Sequence, residues 1–424
     1  MKFAMNLAVT CRADHQAKAL GSWSRRHCRP APPSQAPLHV ISLAVVAMAG
    51  LLSATAALAE TPVTPPELVG MNGERLRGLS ELVEQGIAEK KMPGCVVCVG
   101  RHGKIVYLEA FGLKKIAPDP EPMRTDTLFD MASITKPVAT ATSVMRLAEA
   151  GRFRLDDRVE KFFPEFGVHG KDEITVRHLL IHQSGLIPDN ALSDYRDGPE
   201  KAWEKICALE LVAPVGEAFK YSDVNFIVLG KLVEKVSGQT LHEFSRDQIF
   251  KPLEMHETGY LPAESLAARA APTEKREGKW MRGEVHDPRA HLLGGVAGHA
   301  GLFSTATDLS LYARMMLGNG RLPGGARVLA PRTVEAMTAP QTVSSGIRGL
   351  GWDKQTGYSS NRGDFLTSAA FGHGGFTGTV LWIDPELDLF FIFLSNRVHP
   401  NGKGSVNHLA GQIVNRVVGS ITDR

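Results

Sequence analysis

The strand-like runs of this chain lie at its two ends, with mostly helical sequence between them. Cys95 to Gly100 and Ile105 to Phe111 are rich in β-branched residues and are joined by Arg101-His102-Gly103-Lys104, a hairpin turn. Far downstream, Gly378 to Asp384 and Leu387 to Ser395 repeat the pattern around Pro385-Glu386. Strands at both ends predict one antiparallel sheet built from both termini and flanked by helices. The fold class is α/β, with an inserted, mostly helical subdomain over roughly 130–285. Helical spacing over Asn72 to Lys90, and a last helix from Val406 to Val418, would cover that sheet. Between the ends, Leu229 to Val236 and Leu241 to Ile249 read as helices parted by Ser237-Gly238. The glycine-dense Leu293 to Gly301 must be loop, and Asp308 leads a helix through Met316.

The first 59 residues are not expected to join this fold. Arg25-Arg26-His27-Cys28-Arg29 is a basic cluster, Val40 to Leu58 is apolar, and Ala57-Leu58-Ala59 is a small-x-small cleavage site. This reads as an export signal with a long basic lead, cut near Ala59, which places the mature protein in the periplasm or outside the cell. The alternative is an uncleaved anchor, since the stretch approaches spanning length; membrane association is expected only then. Residues 60–69, rich in Pro and Thr, read as a linker, and 70–424 as the folded domain. A formal net charge of +3 over 424 residues gives no reason to expect a nucleic-acid partner. Cys95 and Cys98 lie three apart on one strand and so point to opposite faces, which rules out a bond between them without breaking the strand.

The chemistry starts at Ser133-Ile134-Thr135-Lys136. A serine and a lysine three apart share one helix face. A lysine beside a serine hydroxyl suits nucleophilic catalysis: the amine takes the hydroxyl proton, or stays charged and organises another base. Pro137, with Val138, Ala141, Met145 and Ala148 at helical spacing, places Ser133 at a helix start, where N–H groups and the dipole favour a forming oxyanion. Two further clusters follow in order. Tyr221-Ser222-Asp223 sits in a short loop before a helix, and His373-Gly374-Gly375-Phe376 opens the Gly378 to Asp384 strand.

Ser-x-x-Lys, a Tyr or Ser loop and a strand-borne third motif, in that order, resemble the serine β-lactamase and penicillin-binding-protein superfamily, closest to its class C β-lactamase-like branch. The phrases Leu128-Phe129-Asp130-Met131-Ala132-Ser133, Leu179 to Leu186 and Gly298-His299-Ala300-Gly301-Leu302-Phe303-Ser304-Thr305 also read like that branch. The resemblance covers about 70 to 420 and makes 70–424 a β-lactamase-like catalytic domain. It implies Ser133 as the acylated nucleophile. Lys136 and Tyr221 jointly act as base, the Tyr221 phenol being depressed by Lys136. The N–H groups of Ser133 and Phe376 form the oxyanion hole. Gly374 and Gly375 would let a substrate lie close to the strand edge.

Two positions depart from the penicillin-recognising pattern. Asp223 stands where an Asn is usual and, once ionised, can only accept. His373 stands where Lys is usual and gains charge only as pH falls toward about 6.5. Both weaken capture of a β-lactam, and His373 is the expected contact for a substrate carboxylate. No cofactor and no metal is expected. His178, His182, His286 and His299 lack ligand spacing and a carboxylate cluster, so they read as core or loop histidines satisfied by backbone groups, with His299 the one that could line the site.

The reading is therefore an exported serine hydrolase that forms an acyl-enzyme on Ser133 and cleaves an amide or ester. Its substrate is a peptidoglycan-type peptide, as for a D-alanyl carboxypeptidase or a β-lactamase-related enzyme. A small carboxylic ester is the alternative, and a non-catalytic penicillin-fold binding module the third reading. N-terminal sequencing of exported protein should begin at or near Glu60. A mature chain that keeps Leu43 to Leu52 and sediments with membranes would establish the anchor instead.

Overall fold

The computed structural model describes residues 62–423. The signal-like segment and the first two linker residues lie outside the described residues. Of the expected linker, Pro66–Val69 forms a 3-10 turn, and the Thr64 amide donates to Ile105 O at 2.8 Å. Among the described residues no helix is long and apolar enough to cross a membrane.

One nine-stranded sheet organises the chain. Its strands are β1 (Gly94–Arg101), β2 (Lys104–Lys115), β3 (Glu121–Pro122), β4 (Gln341–Val343), β5 (Gly346–Arg348), β6 (Asp353–Gln355), β7 (Phe371–Gly375), β8 (Thr379–Asp384) and β9 (Leu389–Ser395). In space they run β3-β2-β1-β9-β8-β7-β6-β5-β4, every pair antiparallel. The seam between the two chain ends is β1 against β9, from Cys95 opposite Ser395 to Arg101 opposite Leu389. The β1–β2 hairpin turns through His102 and Gly103, both at positive φ (51° and 69°), as a tight two-residue turn requires.

Alternation along the central strands divides the interior into two cores. Cys95, Val97, Val99, Val380, Trp382, Phe391 and Phe393 face the Leu79–Ala88 and Asn407–Val418 helices. Val96, Cys98, Leu381, Ile383, Ile392 and Leu394 face the larger helical layer, in which Leu309, Tyr312 and Ala313 come from the Ala306–Leu317 helix. The period of two that read as strand is thus a sheet covered on both faces, and Cys95 and Cys98 fall in opposite cores as expected.

Three expectations change in detail. The Asn72 to Lys90 helix is two helices, Gly73–Arg77 and Leu79–Ala88, broken at Gly78. His373 does not open the Gly378 to Asp384 strand; it lies on a separate strand, β7, because Phe376-Thr377-Gly378 makes a hairpin turn, with Gly378 at φ 101° and its amide bonded to Gly375 O. A separate small sheet, with Leu302–Ser304 between Phe129–Asp130 and Gly259–Tyr260, was not expected. These pieces are too short for sequence periodicity to reveal.

Candidate active site

Phe129–Asp130 delivers the chain to Ser133. The buried Asp130 carboxylate accepts the Ala132 amide at 2.8 Å and the His286 amide at 2.7 Å. Ala132 is thereby held at φ 45°, a left-handed conformation that a residue with a side chain rarely adopts. A 3-10 turn, Ala132–Ile134, follows, then a π-turn, Lys136–Ala141, and only then the α-helix Thr142–Glu149. The expected helix start is there, but wound first tightly and then loosely, with Pro137 contributing no N–H.

Lys136 has no exposed surface. Its Nζ donates to Ser133 Oγ at 2.9 Å and to the His299 carbonyl at 3.1 Å. Asp223 Oδ1 lies 2.7 Å away in an ion pair, although no aligned hydrogen-bond donor reaches that oxygen, so charge more than direction holds this contact. Asp223 therefore faces Lys136, a neighbour that the sequence reading did not give it.

The second motif is placed by the segment His182-Gln183-Ser184. His182 sits at φ 59° and its Nδ1 accepts the Ser222 amide at 3.1 Å. The Lys220 amide donates to His182 O and the Asp223 amide to Pro188 O. Ser222 caps the Asp223–Ser237 helix through Asn225 N. The His182 ring lies 4.6 Å from that of Tyr221. His182 is indeed a core histidine bonded to backbone, and that bond positions the Tyr221 loop.

The β7–β8 hairpin is pinned to the segment before Ser133 by Thr377 Oγ1 to Asp130 O (2.8 Å) and Thr379 Oγ1 to Met131 O (3.1 Å). A Cβ on Gly375 would meet Met131 O at 2.6 Å, and one on Gly374 would strike the Asn361 amide. These glycines make room for the protein's own packing, not only for a substrate. Phe376 is exposed in the turn, with the His286 ring stacked at 5.6 Å. Ser133, Tyr221, His373, Gly374, Gly375 and Phe376 line one cavity of about 350 Å³.

Two electrostatic expectations are overturned. Burial does depress Lys136, but Asp223 and Tyr221 outweigh it, and the lysine is held above its ordinary value, as an ammonium. Burial likewise raises the Tyr221 phenol, Asp223 adds to that, and the lowering by Lys136 does not offset them. The phenol is not depressed. His373 is buried, and burial together with the charges of Arg348 and Lys136 holds it well below about 6.5. Its Nδ1 is bonded to Gly374 O at 2.7 Å. A histidine so placed is held toward its neutral form.

A residue that sequence reading passed over also lines this cavity. Arg348, at the end of β5, lines the same cavity with no exposed surface. An arginine between Ile347 and Gly349 offers no motif; only sheet order brings β5 near β7. The histidine expectation is corrected too. His299 Nε2 pairs with Asp287 Oδ1 at 2.9 Å and His286 Nε2 with Glu274 at 2.7 Å, so carboxylates do accompany them. Asp223, Asp287 and His299 bring ligand-type atoms within 4.8 Å of one another. Asp223 is already paired with Lys136, and Asp287 with His299.

A family model described as Beta-lactamase matches residues 79–415. An N-acetylmuramyl-L-alanine amidase of Bacillus subtilis (strain 168) is 30% identical, over 85% of this chain and 90% of its own. A protein of Escherichia coli (strain K12), provisionally named a D-alanyl-D-alanine carboxypeptidase, is 30% identical over 82% of this chain and 89% of its own. A solved penicillin-binding protein homolog from Caulobacter crescentus superposes with a TM-score of 0.67 at 22% identity, over 85% of this chain and 99% of that one; this likeness is one of fold.

The neutral His373 has a measurable consequence. Its folded value lies below its unfolded value, so between the two only the unfolded chain takes up the proton. The stability it contributes is complete above about pH 6.5 and declines as pH falls, by at most about 1.4 kcal/mol per pH unit. Chemical denaturation of wild type and His373→Gln should show the variant gaining relative stability from pH ~7.5 to ~5.5. A constant difference would mean that His373 charges freely in the fold.

Proposed function

Because this chain belongs to the beta-lactamase family, whose members are hydrolases, we propose that it is an exported serine hydrolase acylated on Ser133. The observation that carries this reading is Lys136 Nζ, buried and charged, donating to Ser133 Oγ at 2.9 Å between Asp223 and His299 O. We read the substrate as a peptidoglycan-type peptide, cleaved at an amide as by a D-alanyl carboxypeptidase or a related amidase. The signal-like leader and the names of the 30%-identical relatives support it. The ester reading rests on a different observation: His373 is neutral and Asp223 is occupied by Lys136, so neither third-motif cation nor second-motif amide awaits a β-lactam.

An ammonium that already donates to Oγ cannot also take its proton. Lys136 and Tyr221 are both held protonated, so the pair must first give up one proton; Tyr221 is then the phenolate that acts as base, while Lys136, still an ammonium, organises. Ser133 Oγ attacks the carbonyl carbon while its proton passes to Tyr221. The tetrahedral oxyanion falls to the N–H groups of Ser133 and Phe376. Collapse breaks the bond to the leaving group, which takes the proton from Tyr221. Water then attacks the acyl-enzyme by the same route in reverse.

Ser133→Ala should abolish turnover of p-nitrophenyl esters and D-Ala-D-Ala peptides and labelling by a fluorophosphonate, with the fold intact by circular dichroism. Retention of more than a few per cent of activity would sink the reading. Asp223→Asn tests the charge balance. Asp223 raises both Tyr221 and Lys136, so its loss should let the pair release its first proton sooner. The acidic limb of kcat/KM should then move to lower pH, and a limb that moves upward would contradict this assignment of the base.

A further inference from the structure

Asn361 stands in the wall of the catalytic cavity, on the loop that joins β6 to β7. Its surface is only 2% exposed. The indole Nε1 of the buried Trp382 donates to Asn361 Oδ1 at 3.0 Å. An indole N–H can only donate, so this bond settles which end of the Asn361 amide is oxygen. The other end, Nδ2, has no acceptor among the described residues, yet it is not one of the side-chain atoms sealed inside the protein without a partner. It opens on the cavity that Asn361 lines.

Gly374 keeps that opening clear. A Cβ on Gly374 would lie 2.5 Å from Asn361 Nδ2, so a side chain there would cover the donor. Strand register relates the place to Ser133. Gly372 is opposite Trp382, His373 opposite Leu381 and Gly374 opposite Val380. Cross-strand partners share a face, so Gly374 and Trp382, with Asn361 bonded to it, lie on the face covered by the Asn407–Val418 helix, and His373 on the other. Among the described residues β6 pairs with β7 at Gly372 alone, which leaves the edge from His373 to Gly375 unpaired. The cavity passes round that edge, from Ser133 to Ser405 and Asn407 at the start of the last helix.

The donor is also held still. Asp353 accepts the hydroxyls of Thr356 at 2.9 Å and Ser359 at 2.7 Å, and the Arg362 amide donates to Ser359 O at 2.9 Å, so the loop is bonded on both sides of Asn361. A side chain already fixed loses little freedom when a partner arrives. A buried amide with one end used and the other facing a catalytic cavity is matched only when something in the cavity accepts from it.

We propose that Asn361 is a specificity residue whose Nδ2 donates to an acceptor oxygen, carbonyl or carboxylate, on the part of the substrate that reaches round the edge of β7. This rests on the acyl-transfer reading above. It assigns to a loop outside the three motifs an amide donor that Asp223 cannot be.

The test compares wild type, Asn361→Asp and Asn361→Ala. Asn361→Asp keeps an acceptor for Trp382 and loses the donor; Asn361→Ala loses the donor without adding charge. One set of substrates is p-nitrophenyl butyrate, p-nitrophenyl levulinate and mono-p-nitrophenyl succinate, whose acyl groups carry no acceptor, a ketone and a carboxylate. The other is N-acetyl-D-Ala-D-Ala and its C-terminal amide, with a carboxylate or a carboxamide on the leaving group. In at least one set, KM for the acceptor-bearing substrates should rise about tenfold relative to the butyrate ester in both variants. In Asn361→Ala, a larger rise for the carboxylates identifies a carboxylate as the partner, and an equal rise a carbonyl. Equal losses on all five substrates would make Asn361 a support for Trp382 alone. A rise confined to carboxylates in Asn361→Asp would be charge repulsion. Either result, or no change, overturns the proposal. Should Asn361→Ala not fold, the ketone and the peptide amide decide the matter in Asn361→Asp.

A readout without turnover separates failure of the proposal from failure of the acyl-transfer reading. In a Ser133→Ala background, the side-chain amide NMR signal that Asn361→Asp removes should shift when levulinate, succinate or N-acetyl-D-Ala-D-Ala is added. A signal unmoved by all three overturns the proposal. Absence of fluorophosphonate labelling at Ser133 in wild type instead overturns the acyl-transfer reading and leaves the NMR signal to decide on Asn361.

Discussion

A single nitrogen, Lys136 Nζ, ties together three segments that the chain keeps far apart. It meets Ser133 of its own helical turn, Asp223 of the second motif and the His299 carbonyl of the glycine-rich loop. With no solvent to fall back on, an ammonium there is tolerable only while all three acceptors stay in place. The surrounding structure is arranged to keep them. Thr140 Oγ1 bonds Gly298 O at 2.7 Å and the Thr135 hydroxyl receives the Leu302 amide at 3.1 Å, which docks the loop on the turns that follow Ser133. Gly298 lets that loop lie directly on the Asp223–Ser237 helix, since a Cβ there would collide with the Phe226 carbonyl.

The sheet supplies the rigidity that this arrangement needs. Because β1 and β9 pair inside it, strands from the two ends of the chain are joined in one sheet. The third motif, on β7, is then two strands from the seam, and its hairpin is bonded to the carbonyls of Asp130 and Met131 just before Ser133. Strain is local. Ala132 and His182 are both non-glycine residues at positive φ, one beside Ser133 and the other holding the Tyr221 loop. Such conformations persist where neighbouring bonds over-determine them.

Charge is the theme on which sequence reasoning was least secure. Residue identities announced that Asp223 and His373 were unusual, but not what they faced. Asp223 proves to be the counter-ion of Lys136, so the pair keeps the lysine charged and raises the cost of ionising Tyr221. His373 proves neutral because it is buried beside two cations. The sign of a titration shift follows from desolvation and from which charges lie within a few ångströms, and neither can be read along a chain.

What the sequence by itself determined was everything local or periodic. Alternation over Cys95 to Phe111 and Gly378 to Ser395 marked the sheet, the Ser133-x-x-Lys136 spacing placed hydroxyl and amine on one helix face, and glycines marked the turns and the loop near 298. Ser133 and Lys136 were named from that spacing and Tyr221 from the family resemblance of its motif, and the fold brings the three together. What only the tertiary structure decided was long-range. His373 lies on its own strand, His299 presents its carbonyl to Lys136, and Arg348 reaches the cavity because β5 lies two places from β7 in the sheet. Strand order and burial depend on contacts between residues hundreds of positions apart, and no short window of sequence carries that information.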